Sequence, residues 1–232
     1  MRVLTVSNAK TVKGEELGWL TGVLHLAPFN LSGHQVCRHS TPACRAMCLN
    51  TAGRGQFAMV QRARIAKTQY LFNDRKAFIA ELKHDIAALC RKAARLDMQP
   101  CIRLNGTSDL RWFSPYYGCI PQHFPDVVFY DYTKDYDVIK LASRKKLPPN
   151  YDIMLSYTGR NRRECRYALR NGINVAAVYS KLPPIGDKLW GYDVIDGDSH
   201  DLRFLDPRPA VVGLKAKGRA RNLTNEMIIP SR

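Results

Sequence analysis

Three cysteines in a short stretch are the residues of this chain best suited to chemistry. Cys37, Cys44 and Cys48 have the spacing C-x6-C-x3-C within the segment HQVCRHSTPACRAMC. Thiolates placed this close together repel one another and oxidise easily, so sequences group them to share a metal or a cluster, or to form a disulfide. The role of these three thiols therefore governs every functional hypothesis for the chain.

Three kinds of site remain open for the cysteine segment. Three thiolates can hold a [4Fe-4S] cluster, with one iron left open to a small ligand or to a distant side chain. A structural zinc ion could use the same thiolates with His34 or His39 as the fourth ligand, although familiar zinc sites have shorter gaps between cysteines. The third alternative is a set of redox-active or incidental thiols. The spacing and the lack of a fourth local cysteine favour the cluster.

Length and composition indicate a globular protein. The chain has 232 residues, of which 45% are hydrophobic, and we treat residues 1–232 as a single α/β domain with an N-terminal cysteine loop at residues 34–55. The segment MRVLTVSNAKTVKGEE is too polar for a signal peptide, and no run of about 18 apolar residues occurs. We therefore expect a cytoplasmic protein with no membrane partner. Its odd number of cysteines, seven, argues against a disulfide framework.

The net charge of the chain indicates which kind of partner it could bind. It is +16, from 36 Lys and Arg against 20 Asp and Glu. A surface of this kind attracts polyanions, so nucleic acid is a candidate partner, while the alternative is a basic surface that only aids solubility. The basic residues concentrate locally at Arg62–Lys67, Arg144–Lys146, Arg160–Arg170 and Lys215–Arg221.

The periodicity of apolar residues predicts alternating strands and helices. Short apolar runs predict strands at Val3–Val6 and Thr21–Leu26, and a helix is expected from about Phe57 to Phe72. Asp74 is placed to cap a second helix. One face of that helix carries six apolar residues, namely Phe78, Leu82, Ile86, Leu89, Ala93 and Leu96.

The second half of the chain predicts a parallel sheet. Near-continuous apolar strands alternate with helices such as Arg162–Arg170, which is typical of a parallel sheet covered by helices. We expect an α/β fold, either a partial TIM-like barrel or a mostly parallel sheet covered by helices. The predicted strands are Cys101–Leu104, Val127–Tyr132, Ile153–Ser156, Ile173–Tyr179, Tyr192–Ile195 and Val211–Leu214.

Polar residues recur at the downstream ends of these strands. In parallel α/β folds that edge binds ligands, and the cysteine loop, which follows an apolar strand, should open there too. A single polar loop residue proves nothing, but the recurrence over successive strands predicts a site. The residues are Asn105, Thr107, Ser108 and Asp109; Asp131, Thr133 and Lys134; Ser156 and Thr158; Ser180 and Lys181; Asp196, Asp198 and Asp201; Lys215 and Lys217.

Several motifs together resemble one protein family. They are CRHSTPACRAMCLNTAGRG, RARIAKTQ, RLNGTSDLRW, VVFYDYTK and LPPNYDIMLSYTGRN, and they resemble the phage gene product 88 family from about Asn8 to Lys217. A more distant likeness is to radical S-adenosylmethionine enzymes, which hold a cluster by three cysteines in a loop after the first barrel strand. Their usual spacing is C-x3-C-x2-C, from which this sequence departs. If the protein is phage-encoded, its expected location is the host cytoplasm.

The resemblance assigns residues to the predicted site. Cys37, Cys44 and Cys48 match the family cysteines, Asp109 matches an acidic position, and Tyr132, Thr133 and Lys134 match a Tyr-Thr-Lys triplet. We predict Asp109, Asp131 and Lys134 as catalytic polar groups that line the site. A structural ion pair between Lys134 and one of these aspartates is the alternative. Predicted cofactor contacts are Asn105, Thr107, Ser108 and Ser156.

Three hypotheses of function follow. The leading one is redox or radical chemistry at an open-iron [4Fe-4S] cluster on an anionic or nucleic-acid substrate, with S-adenosylmethionine as a candidate cofactor and an external electron donor. The second is a nucleic-acid-binding module that zinc staples together. The third is a metal-dependent nuclease built on Asp196 and Asp198, in the segment DGDSHD, although these residues favour a turn over a cation site.

Overall fold

A mostly parallel β-sheet organises the protein. The computed structural model describes residues 2–6, 12–184 and 186–230. Within these ranges the strands are β1 (Leu4–Thr5), β2 (Trp19–Leu24), β3 (Gln99–Arg103), β4 (Val128–Thr133), β5 (Tyr151–Ser156), β6 (Val175–Tyr179), β7 (Lys188–Leu189), β8 (Tyr192–Asp196), β9 (Val211–Lys215) and β10 (Ile228–Ile229).

The strand order follows the chain over most of the sheet. The order is β1-β2-β3-β4-β5-β6-β9-β8-β7, with β10 beside β6. Strands β2 to β6, β9 and β8 run parallel, whereas β1 pairs antiparallel with β2 and β7 pairs antiparallel with β8. All the parallel strands therefore end at one edge of the sheet, which we call the carboxyl edge.

The expected α/β fold with a mostly parallel sheet is confirmed, whereas the partial TIM-like barrel is not. The path through the sheet starts at β1 and ends at β7, so the sheet is open. A barrel requires the last strand to pair with the first. Here β8 and its antiparallel partner β7 extend the sheet beyond β9 instead.

The helices lie between the strands as the sequence pattern predicts. They are α1 (Val12–Glu15), α2 (Pro42–Ala46), α3 (Ala58–Asn73), α4 (Arg75–Arg95), α5 (Ile120–His123), α6 (Tyr136–Ser143) and α7 (Arg162–Arg170). Helix α4 packs against β2 and β3, while α6 and α7 pack against β5. None of the helices in the described ranges is both long enough and apolar enough to cross a membrane.

A capping residue and a periodic apolar face explain why helix α4 forms. The Asp74 carboxylate accepts a hydrogen bond from the Ala77 amide at 3.0 Å, which caps the first turn. Five of the six predicted core residues are buried, but Leu96 is 48% exposed. Leu96 is the residue that follows the last helical turn, so the helical periodicity no longer directs its side chain inward.

The two faces of the sheet have different roles. The face covered by helices carries the main hydrophobic core, which includes Leu82, Ile102 and Leu155. Alternate strand residues point to the other face, where Met154, Ala176 and Val212 form a small cluster. At the carboxyl edge the cysteine loop and the C-terminal segment meet, because Met47 packs with Ala216, Ala220 and Met227.

The contrast between Leu82 and Leu96 gives a test of the packing. Leu82→Ala should lower the free energy of unfolding by about 2–5 kcal/mol, because it leaves a cavity between α4 and the sheet. Leu96→Ala should change it by no more than about 0.5 kcal/mol, because that side chain is half exposed. Urea denaturation followed by circular dichroism measures both. Equal losses for the two variants would contradict this packing of α4.

Candidate functional site

A cavity opens at the carboxyl edge, on the face opposite the helices. Its volume is about 190 Å³, and it is lined by residues from the cysteine loop, the ends of several strands and the C-terminal segment. Most of the residues predicted as site residues line it together: Cys37, Cys44 and Cys48, with Asn105, Thr107, Ser108, Asp109, Lys134 and Ser156.

Local helix chemistry positions two of the thiols. Thr41 caps helix α2, since its hydroxyl accepts a hydrogen bond from the Cys44 amide at 3.1 Å, and Pro42 occupies the first turn. Cys44 lies in that helix, and Cys48 begins the 3-10 turn Leu49–Thr51 directly after it. The short TPACRAMC segment therefore presents Cys44 and Cys48 to the same cavity.

The buried residue Val36 fixes the backbone that places Cys37 in the cavity lining. Val36 is fully buried, its amide donates to the Phe29 carbonyl at 3.0 Å, and its carbonyl accepts from the Asp109 amide at 2.8 Å. The Cys37 thiol donates a weak hydrogen bond to the Thr107 carbonyl oxygen at 3.7 Å. The loops after β2 and β3 are thus joined at Cys37.

Burial favours the neutral form of two of these thiols, Cys37 and Cys48. Burial raises the pKa of Cys37 to about 12, and the Asp109 carboxylate acts in the same direction while Lys134 opposes it. Burial also raises the pKa of Cys48. Cys48 interacts electrostatically with both Cys37 and Cys44. The three sulfur atoms therefore share one electrostatic environment. All seven cysteines of the chain are free thiols.

Lys134 brings a positive charge to the cavity lining. Burial alone lowers the pKa of an ammonium group, but the negative charges available at Cys44, Asp109, Cys37 and Cys48 outweigh it and raise the pKa of Lys134. The Lys134 amide also donates to the Asp109 carboxylate at 2.9 Å. Lys134, Asp109 and the three cysteines thus line one cavity and interact electrostatically.

Asp109 joins the ends of β3 and β4. Its second carboxylate oxygen accepts from the Thr133 hydroxyl at 2.7 Å. Burial raises the pKa of Asp109, although Lys134 and both hydrogen bonds oppose the shift. Asp109 is therefore both a neighbour of Lys134 and a structural link between two loops.

Asn105 organises the loop after β3. Its side-chain oxygen accepts hydrogen bonds from the Ser108 hydroxyl at 2.8 Å, from the Leu110 amide at 2.9 Å and from the Trp112 indole at 3.2 Å. The side-chain amide donates to the Leu110 carbonyl at 3.0 Å. Asn105 and Ser108 line the cavity, but their bonds within the loop give them a structural role whatever they bind.

Asp131 lies beneath the cavity rather than in its lining. It is 2% exposed and accepts from the Asn105 amide at 2.6 Å, the Asn105 side chain at 3.2 Å and the Tyr151 hydroxyl at 2.9 Å. Burial raises its pKa to about 7, while the hydrogen bonds and Arg103 oppose that shift. Asp131 therefore supports the Asn105 loop and does not line the cavity as predicted, while its catalytic role stays a prediction.

The histidines beside the cysteine loop turn away from the thiols. His34 stacks on Phe72 with 4.3 Å between the ring centroids, and the Nε2 atom of His39 lies 3.5 Å from the Asp135 carboxylate. Neither lines the cavity. Over the part of the chain that the structure describes, no three His, Cys, Asp or Glu side chains converge as ligands of a metal ion.

The late aspartates form a turn with protein partners, as the sequence favours. The Asp196 carboxylate accepts from the Asp198 amide at 2.8 Å, and Asp198 accepts from the Lys215 amide at 2.9 Å. Asp198 also pairs with Lys217. The predicted nuclease residues are therefore engaged in holding the end of β8 against the end of β9.

Sequence reasoning missed Arg103 and the two methionines of the cavity. Arg103 lies at its floor, bonds to the Asp201 carboxylate at 2.9 Å and sits 4.5 Å from the centroid of the Tyr132 ring. A charged residue inside the apolar run CIRL was an available signal. Met47 and Met227 are brought together only by the fold, because they are far apart in the chain.

Comparison with known families identifies the chain. The family model described as Gene product 88 matches residues 2–227, so the chain belongs to the gene product 88 family. Comparison with curated proteins and with solved structures gave no match. The family resemblance predicted from the motifs is thus confirmed, and the likeness to radical S-adenosylmethionine enzymes receives no support from these comparisons.

The raised pKa of Asp131 predicts a pH dependence of stability. Between pH 4 and 7 the folded state keeps a proton on this carboxyl that the unfolded chain has lost, so the free energy of unfolding falls as pH rises. Asp131→Asn should reduce this slope, by at most about 1.4 kcal/mol per pH unit. Urea denaturation at several pH values measures it. Asp126→Asn, at an exposed position, is the control, and an unchanged slope in Asp131→Asn would refute the prediction.

Proposed function

We propose that this gene product 88 family protein is an iron–sulfur protein. In this proposal Cys37, Cys44 and Cys48 hold a [4Fe-4S] cluster with one open iron, and redox or radical chemistry takes place in the cavity on an anionic substrate. The observation that carries the proposal is the convergence of three half-buried thiols and the Lys134 ammonium on one cavity.

The donor set fits a cluster better than a single ion. A zinc ion needs four ligands at about 2.0–2.3 Å, which would draw three thiolates and a histidine around one point. His34 and His39 have other partners, and among the described residues no three ligands are close enough together to hold one metal ion, although the three cysteines line one cavity. A four-iron cluster binds each thiolate through a different iron, so its thiolates are spaced more widely than those of a single ion.

The charges of the cavity support the same proposal. Ligating thiols must lose their protons, and burial of Cys37 and Cys48 makes free thiolates unfavourable there. A bound cluster would replace those protons with positive iron. The remaining negative charge of the thiolates would be balanced by Lys134, which lines the same cavity and interacts electrostatically with all three cysteines.

The other cavity residues would bind and orient the substrate. When bound, the cluster would supply an electron from an external donor, or a Lewis acid at the open iron. Lys134 attracts an anionic group, and Asp109 fixes the Lys134 backbone at 2.9 Å. Thr107 and Ser156 add polar contacts for a cofactor, with S-adenosylmethionine as the candidate, while Val178, Leu214 and Met227 exclude water.

Anaerobic purification tests this proposal directly. We expect a brown protein with about four irons and four sulfides per chain after reconstitution, since three cysteines and an open iron define that cluster. Iron, sulfide and zinc analyses and the absorption spectrum measure it. A colourless protein with three free thiols would rule out the cluster, and zinc without sulfide would indicate the stapled module instead.

Single cysteine variants locate the cluster. Cys37→Ser, Cys44→Ser and Cys48→Ser should each lose most of the bound iron, because each removes a thiolate from the cavity. Cys90→Ser is the matched control, since Cys90 lies on α4 away from the cavity. Iron content per folded chain is the measurement, with circular dichroism to confirm folding. Equal iron loss in the control would contradict the assignment.

Lys134 should tune the reduction potential. Lys134→Met removes a positive charge beside the thiolates at similar side-chain volume, so the reduced state loses stabilisation and the midpoint potential becomes more negative by tens of millivolts. Lys140→Met on α6, whose lysine pairs with Asp137, is the control. A redox titration followed by electron paramagnetic resonance measures both. Equal potentials in the two variants would contradict the role of Lys134.

A further inference from the structure

Two segments of the chain contain basic residues without any acidic ones. No Asp or Glu occurs between Glu16 and Asp74, the stretch that includes the cysteine loop, and none occurs between Asp206 and Glu226. The first stretch contains six Lys and Arg residues, and the second contains five. A long segment without carboxylates cannot neutralise its arginines locally.

The fold brings these two segments together at the mouth of the cavity. Gly218 lies so close to the cysteine loop that an added Cβ would be 3.0 Å from Cα of Ala52. The turn Gly218–Asn222 also packs through Ala220 on Met47, which lines the cavity. The cysteine loop and the Gly218–Asn222 turn therefore form one continuous surface.

Five exposed arginines lie on this surface, and we call them the arginine rim: Arg38, Arg45, Arg54, Arg219 and Arg221. Arg45 hydrogen-bonds to the Ser40 hydroxyl at 3.0 Å, and Ser40 lines the cavity. Within residues 2–6, 12–184 and 186–230, no carboxylate pairs with any member of the rim. The rim thus presents uncompensated positive charge around the cavity mouth.

The nearby carboxylates are already engaged by other cations. Arg111 lies 2.7 Å from the Asp135 carboxylate, and Arg160 pairs with Glu226 at 2.5 Å. Asp198 pairs with Lys217. The charge of the rim is therefore complementary to a polyanion from outside the molecule.

Exposed apolar side chains accompany the rim. Leu49 lines the cavity and is 51% exposed, and Phe57, which follows the turn that carries Arg54, is 56% exposed. An exposed aromatic ring among arginines is the combination by which proteins bind single strands, since the ring stacks on a base while the cations contact phosphates. A duplex offers phosphates but keeps its bases stacked inside.

We infer that the arginine rim and Phe57 bind single-stranded nucleic acid across the mouth of the cavity. The strand's phosphates contact the arginines, and a base stacks on Phe57. This inference deepens the proposed function, because it makes a nucleotide of a single strand the anionic substrate presented to Lys134 and Asp109. The binding itself needs no cluster, so it is tested separately from the chemistry.

Charge-matched variants test the rim. The triple variant Arg54→Ala, Arg219→Ala, Arg221→Ala is compared with Arg91→Ala, Lys92→Ala, Arg95→Ala, which removes the same charge from the end of α4, at the opposite edge of the sheet. Fluorescence anisotropy with a labelled single-stranded oligonucleotide, over a range of salt concentrations, measures affinity. The rim variant should bind at least tenfold more weakly, with a salt slope smaller by about 2, because each lost phosphate contact removes about 0.7.

Phe57→Ala distinguishes a single strand from other polyanions. It should weaken binding of the oligonucleotide by about tenfold and leave binding of heparin, which has no bases, unchanged. Equal weakening by the rim and α4 variants would overturn the inference, as would tighter binding of a duplex or no effect of Phe57→Ala. The apoprotein and the iron-loaded protein are measured in parallel, so a missing cluster and a missing nucleic-acid site give different results.

Discussion

The site depends on one electrostatic arrangement, in which Lys134, Asp109 and three cysteines line the same cavity. Burial disfavours a charged lysine, and the Asp109 carboxylate, together with the thiolate forms of the three cysteines, favours it. Burial equally works against thiolates at Cys37 and Cys48. Lys134 and the thiolate forms of the cysteines thus stabilise each other, although burial outweighs this effect at Cys37 and Cys48. The loops that carry these groups must therefore lie close together.

The strand order of the sheet and the hydrogen bonds of its loops bring these loops together. Because β3, β4 and β5 are neighbours in the sheet, their carboxyl ends lie side by side. Hydrogen bonds then fix the loops that follow these strands. Asn105 bonds to Asp131 across β3 and β4, while Asp109 accepts from Thr133 and Lys134. Substitution of Asp131 would thus change the shape of the cavity by releasing the Asn105 loop, although Asp131 itself does not line the cavity.

The sequence predicts the elements well because strong local signals define them. Apolar runs indicate the strands of the parallel sheet, and Asp74 marks the start of α4. Of the polar residues predicted at the strand ends, those after β3 together with Lys134 and Ser156 line one cavity, whereas those after β6, β8 and β9 do not. What it could not predict depends on three-dimensional neighbours. Asp131 lies on the helix side of the sheet because side chains alternate along β4. The open edges at β1 and β7 depend on which strands pair. Met227 packs with Met47 although the two are far apart in the chain.

The cysteine loop contains residues of both proposed sites, the cluster site and the nucleic-acid-binding surface. Cys37 and Cys44 line the cavity, and each is followed directly by an exposed arginine, Arg38 or Arg45, because neighbouring side chains leave the backbone in different directions. Cys48 is followed in the same way by the half-exposed Leu49. The same stretch of backbone therefore presents sulfur to the interior and positive charge to the exterior. Any polyanion held by those arginines would lie within one residue of the thiols, which is the arrangement that a reaction on a bound strand requires.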